Sequence, residues 1–100
     1  MRMKISESQK KHLRGLGHNL SPLIMIGESG LSDSVYNEYK STLAHHELIK
    51  VRVRTGDRKT RDTIIAELCG RSDANLITRV GNIALIYRRN DEKPRILMPG

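Results

Sequence analysis

Gly27-Glu28-Ser29-Gly30 stands between a short apolar run and a segment with helical spacing. A strand-to-helix turn of this kind can aim unpaired backbone amides at a phosphate, helped by the positive end of the helix that follows. The spacing alone says little, because Gly-x-x-Gly arises in roughly every second chain of this length at ordinary glycine usage. A turn that needs positive φ would account for it equally well. The loop lacks the Gly-Lys-Ser/Thr ending of a P-loop and the third glycine of a dinucleotide fingerprint, so nucleotide hydrolysis and nicotinamide binding find no support. A second candidate lies downstream, where Lys50, Arg52 and Arg54 alternate with Ile49, Val51 and Val53. Alternate residues on a strand are about 6.6 Å apart, so these cations would form a row able to follow a nucleic-acid backbone. A face that needed only solubility would mix signs. From Lys50 to Arg61, however, Lys50, Arg52, Arg54, Arg58, Lys59 and Arg61 meet Asp57 alone.

Other chemistries are poorly served. His45 and His46 are adjacent, without the i, i+4 spacing of a zinc helix, and suit a helix C-terminus, where positive charge is welcome. Cys69 is the single cysteine; it cannot form an intrachain disulfide or a thiolate zinc cage, and it reads as a small buried residue of a helix. No nucleophile elbow and no close carboxylate pair beside a strand end is present, so the chain is read as a non-enzyme with no cofactor, no metal and no small-molecule substrate. Trp and Phe are absent, and Tyr36, Tyr39 and Tyr87 are the only aromatic rings. The stacking platforms of RRM and cold-shock domains therefore cannot be assembled, and binding should depend on backbone and shape more than on stacked bases.

The elements that must position these residues follow from periodicity. Ser6-Glu7-Ser8-Gln9 is a capping box, and Leu13, Leu16 and Leu20 continue at helical spacing, which predicts a helix from about Glu7 to Gly17 with Lys10, Lys11 and Arg14 on its outer face. Pro22 ends that pattern, and Leu23 to Ile26 reads as a strand buried on both sides. Ser32 suits the N-cap of a second helix carrying Val35, Tyr36, Tyr39 and Leu43, with Leu31 placed to staple against Tyr36. The basic strand comes next, parallel to the first. Asp57 would cap a third helix with Ile64, Ile65 and Leu68 inward and Gly70 just past its end. Gly81-Asn82 joins Leu76–Val80 to Ile83–Tyr87 as a type II′ hairpin. The chain beyond Asn90 is assigned no regular structure. The order αβαβαββ predicts a two-layer α/β domain with a four-stranded mixed sheet.

Composition bounds the rest. A length of 100 residues suits one domain, with 37% apolar and 29% charged residues, and the net charge of +7 with a pI near 10.0 favours a polyanionic partner. The apolar runs Leu23–Ile26 and Ile83–Tyr87 fall far short of the ~20 residues of a membrane span. Lys4, Lys10, Lys11, His12 and Arg14 stand where a signal peptide would need its apolar stretch, so a cytoplasmic, non-membrane protein is expected.

Across almost its whole length the chain also resembles a known family. The stretches Leu13-Arg14-Gly15-Leu16-Gly17-His18-Asn19-Leu20-Ser21-Pro22, Ile26-Gly27-Glu28-Ser29-Gly30-Leu31-Ser32, His45-His46-Glu47-Leu48-Ile49-Lys50-Val51 and Leu85-Ile86-Tyr87-Arg88 look like the CRM domain, named for chloroplast RNA splicing and ribosome maturation. Its stand-alone bacterial members are called YhbY-like. The resemblance implies an αβαβαββ fold similar to the C-terminal domain of translation initiation factor three, over residues 1–97, with 98–100 as a flexible tail. It also implies RNA as partner, bacterial members being associated with precursors of the large ribosomal subunit. Carried over by position, the family's GxxG loop falls on Gly27, Glu28, Ser29 and Gly30. The basic surface falls on Lys50, Arg52 and Arg54, helped by Lys10, Lys11 and Arg14 of the first helix and by Arg88. The expected protein is a monomeric RNA-binding factor of ribosome assembly. A ribosome-associated adaptor that contacts only protein is the alternative.

Overall fold

The computed structural model describes residues 3–99; the first two residues of the expected domain and Gly100 of the expected tail lie outside them. The elements are α1 (Glu7–Gly17), β1 (Pro22–Ile26), α2 (Asp33–His46), β2 (Leu48–Val53), α3 (Arg58–Ser72), β3 (Asn75–Val80) and β4 (Ile83–Tyr87). Each helix begins where its cap predicts. The Ser6 hydroxyl accepts from Gln9 N while Gln9 Oε1 accepts from Ser6 N, and Ser32 and Asp57 accept from the amides of Val35 and Thr60. The Thr60 amide, helped by the Thr60 hydroxyl, holds the Asp57 carboxyl below its ordinary pKa. The third helix does not stop near Gly70. It runs to Ser72, and Asp73 supplies the left-handed terminal residue at φ 55°, a conformation that a short polar side chain tolerates. Arg71 favours this extra turn by lying 3.8 Å from the centre of the Tyr36 ring and reaching Glu67 one turn back.

The sheet order is β1-β2-β4-β3, with β1 and β2 parallel and the other pairs antiparallel. Strand alternation sends Ile24, Ile26, Ile49, Val51, Val53, Ala84 and Ile86 to one face, where they meet Tyr36, Tyr39 and Leu43 of α2 and Ile64, Ile65, Leu68 and Cys69 of α3. Burial pushes the Tyr39 phenol above its ordinary pKa, and its hydroxyl is 2.8 Å from Ser72 Oγ. The other face is closed only in part. Leu48, Leu85, Tyr87 and Ile77 form a second cluster under Leu13 of α1.

At the end of α1 the approach is close. A Cβ on Gly17 would stand 2.6 and 2.7 Å from the two methyls of Leu85, itself buried. Gly17→Ala should therefore lower stability by about 1 kcal/mol, overpacking outweighing the gain in helix propensity. Thermal melting would register this as a drop of roughly 4–8 °C; a rise would mean that Leu85 turns aside without cost.

The segment after β4 has no helix or strand, yet it is tied down. Glu47, at the α2–β2 junction, is wholly buried with φ 65°. Its carboxylate accepts from Asn90 N at 2.7 Å, Arg95 N at 2.7 Å and Ile96 N at 2.8 Å. Ile96 and Met98 then pack on the second cluster, and Gln9 Nε2 donates to the Pro99 carbonyl at 3.1 Å. Among the described residues, no helix is long and apolar enough to cross a membrane.

Candidate nucleic-acid interface

The loop sits where a parallel strand hands over to a helix. Gly30 N donates to the Gly27 carbonyl at 3.0 Å, closing a tight turn, and Gly30 takes φ +78°, which favours glycine. Glu28 and Ser29 are exposed at its tip. Neither of their amides has a partner among the described residues, so both remain available to an acceptor from outside. The end of β2 lies beside the loop, because Arg54 N donates to the Ile26 carbonyl at 2.7 Å. The hairpin turn closes the same corner through Val53 N and the Asn82 carbonyl, also at 2.7 Å. Together Met25, Gly27, Glu28, Arg54, Thr55 and Asn82 line an open cleft of about 430 Å³.

Lys50 and Arg52 project from β2 on the α1 side of the sheet, half-buried, and Arg54 follows them exposed. Lys10, Lys11 and Arg14 belong to the helix that covers the other end of this same face. Charge pairing separates these cations from four others. Among the described residues no carboxylate lies within ion-pairing distance of Lys10, Lys11, Arg14, Lys50, Arg52 or Arg54. Arg58 and Arg79 both turn to Asp62, Arg71 to Glu67 and Arg89 to Asp91. Unpaired Lys50, Arg52 and Arg54 thus run along β2 toward the loop, with Lys10, Lys11 and Arg14 on the helix at the far end of the same face, while Arg58, Arg71, Arg79 and Arg89 are neutralised locally.

Not every expected residue joins them. Arg88 follows β4 at the end that pairs with Leu48, the far end of β2 from the loop, a separation of about 17 Å at 3.3 Å per residue. There it lines a cleft of about 260 Å³ with Lys40, Arg71 and Asp73. Of the cations from Lys50 to Arg61, Arg58 pairs with Asp62 on α3, Arg61 donates to the Thr55 carbonyl at 3.4 Å, and Lys59 is exposed on α3 beside Arg58, which leaves the first three on β2 and its end. His45 and His46 occupy the last turn of α2 with ring centres 4.7 Å apart. All three tyrosines are buried, so no tyrosine ring faces the basic surface.

Fold and surface define an α/β domain that offers an unneutralised sheet face beside a glycine turn. The chain belongs to the CRS1 / YhbY (CRM) domain family, whose model matches residues 5–88. It is 38% identical over 88 residues to the Probable RNA-binding protein PA4753 of Pseudomonas aeruginosa, covering 88% of this chain and 85% of that one. To an RNA-binding protein of Haemophilus influenzae it is 40% identical over 88 residues, 88% and 89% of the two chains. The solution structure of the hypothetical protein SAV1595 from Staphylococcus aureus superposes with a TM-score of 0.81 at 29% identity, covering 96% of this chain and 100% of that one.

Proposed function

We propose that the protein binds RNA through the loop and the basic end of the sheet, and that its target is structured ribosomal RNA in precursors of the large subunit. In this reading it is a monomeric, non-enzymatic assembly factor of the cytoplasm. The observation that carries it is the gathering of unpaired Lys50, Arg52 and Arg54 beside two exposed, unpartnered amides. Phosphates supply the negative charge that the protein itself withholds there, and binding them releases counterions. RNA-binding relatives support the class of partner, and family membership supports the ribosomal target.

Sedimentation of cell extracts through a gradient, with and without RNase, tests the reading. The protein should travel with pre-large-subunit particles and return to the top of the gradient once RNA is digested. A protein that stays with a ribosomal protein after digestion would instead be an adaptor. Glu28 gives a second check, because its carboxylate is exposed in the cleft with Arg54 and opposes an approaching phosphate. Glu28→Gln should strengthen RNA binding about threefold at low salt and less as salt screens the charge. Weaker binding would mean that the carboxylate contacts a base or ribose.

A further inference from the structure

The register places four side chains in one line across the open face: Met25 pairs with Arg52, Arg52 with Ile83, and Ile83 with Val80. Strands about 4.8 Å apart give this row a span of about 14 Å. Met25 is 54% exposed and Val80 74%, and Arg52 lies between apolar neighbours with no carboxylate partner. The helix α1 stops short of the row. Its last residue, Gly17, sits over Leu85, which pairs with Lys50 one row back; the two ends of the line, Met25 and Val80, are open, while Arg52 and Ile83 between them are half-buried. Met25 also lines the cleft of the glycine turn, which makes row and cleft continuous.

We propose that this row is the floor for an unpaired stretch of RNA, a proposal that rests on the RNA-binding reading above and adds to it the form of the ligand. A duplex turns phosphates outward and hides the faces of its bases, so it would leave Met25, Ile83 and Val80 against charge and water. An unpaired strand offers both kinds of surface. Its phosphates meet Arg52, Arg54 and the amides of Glu28 and Ser29, and its bases lie against the thioether and the aliphatic branches. The net charge of +7 favours this occupant over a basic or neutral peptide. With every tyrosine buried, the contact is aliphatic and dispersive and carries little sequence preference.

Fluorescence anisotropy with a labelled RNA dodecamer, single-stranded and annealed to its complement, tests the proposal against Met25→Ser/Val80→Ser. Both positions are exposed, and an unchanged melting temperature verifies the fold. The parent should prefer the single strand by about tenfold, and the double variant should lose most of that preference. A variant that discriminates like the parent overturns the proposal. A parent that binds both RNAs alike, but weakens when Lys50, Arg52 and Arg54 are neutralised, overturns this proposal and leaves RNA binding standing. A parent that binds neither overturns both. A self-associating parent that M25S/V80S makes monomeric, with RNA affinity unchanged, assigns the row to a second copy of the chain.

Discussion

Glu47→Gln lowers the melting temperature by roughly 10–20 °C, corresponding to about 2–4 kcal/mol in a domain of this size. The carboxylate is wholly buried and accepts three backbone amides, at 2.7, 2.7 and 2.8 Å. An amide side chain keeps one acceptor oxygen, enough for Arg95 N and Ile96 N, and turns its NH₂ group onto Asn90 N. Two donors then face each other in a site closed to water. The backbone of Glu47 adds to the cost. Its φ of 65° is strained for a non-glycine residue and is held by the bond from its own N–H to the Leu43 carbonyl and by the bond its carbonyl accepts from Arg88 N. Releasing residues 90–96 would also loosen Ile96 and Met98 from the cluster under α1, and so loosen the support of the basic face. Calorimetry with hydrogen exchange on the tail amides reads both effects. A shift under about 3 °C would mean that water or another acceptor replaces the carboxylate.

None of this was legible in the chain order, because the donors to Glu47 lie more than forty residues downstream of it. What could be read was local. Ser6, Ser32 and Asp57 announce their helices because a cap and its amide are three residues apart. The alternation from Ile49 to Arg54 fixes which side chains share a face, and Gly81 with positive φ fixes the hairpin. Gly70 misled because the left-handed turn at the end of α3 is made by Asp73. The site was half legible for the same reason. Loop and basic row are each contiguous in sequence, and their adjacency follows from the parallel pairing of β1 with β2. The pairing of Arg79 with Asp62, the distance of Arg88 from the loop and the line from Met25 to Val80 with its two open ends all depend on strand order, which periodicity leaves open.

Replacing Lys50, Arg52 and Arg54 together by Gln weakens RNA binding on the order of 100-fold at moderate salt and leaves the melting temperature nearly unchanged. Gln keeps most of each aliphatic stem, so the half-buried packing of positions 50 and 52 survives while the charge is lost. The sharper readout is the salt dependence. With about five phosphates neutralised, raising salt from roughly 50 to 200 mM weakens the parent about 100-fold, at a slope near −0.7 per contact. Removing three cations that each meet a phosphate should flatten that slope by about two. Arg71 and Arg89 supply the contrast. Each already faces a carboxylate, so neutralising both changes the net charge by two and should leave slope and affinity near those of the parent. If the two sets of substitutions weaken binding in proportion to charge removed, the protein attracts RNA by its overall field and has no defined contact surface. If only the β2 set flattens the slope, the phosphates sit on the face where the fold leaves its cations unpaired.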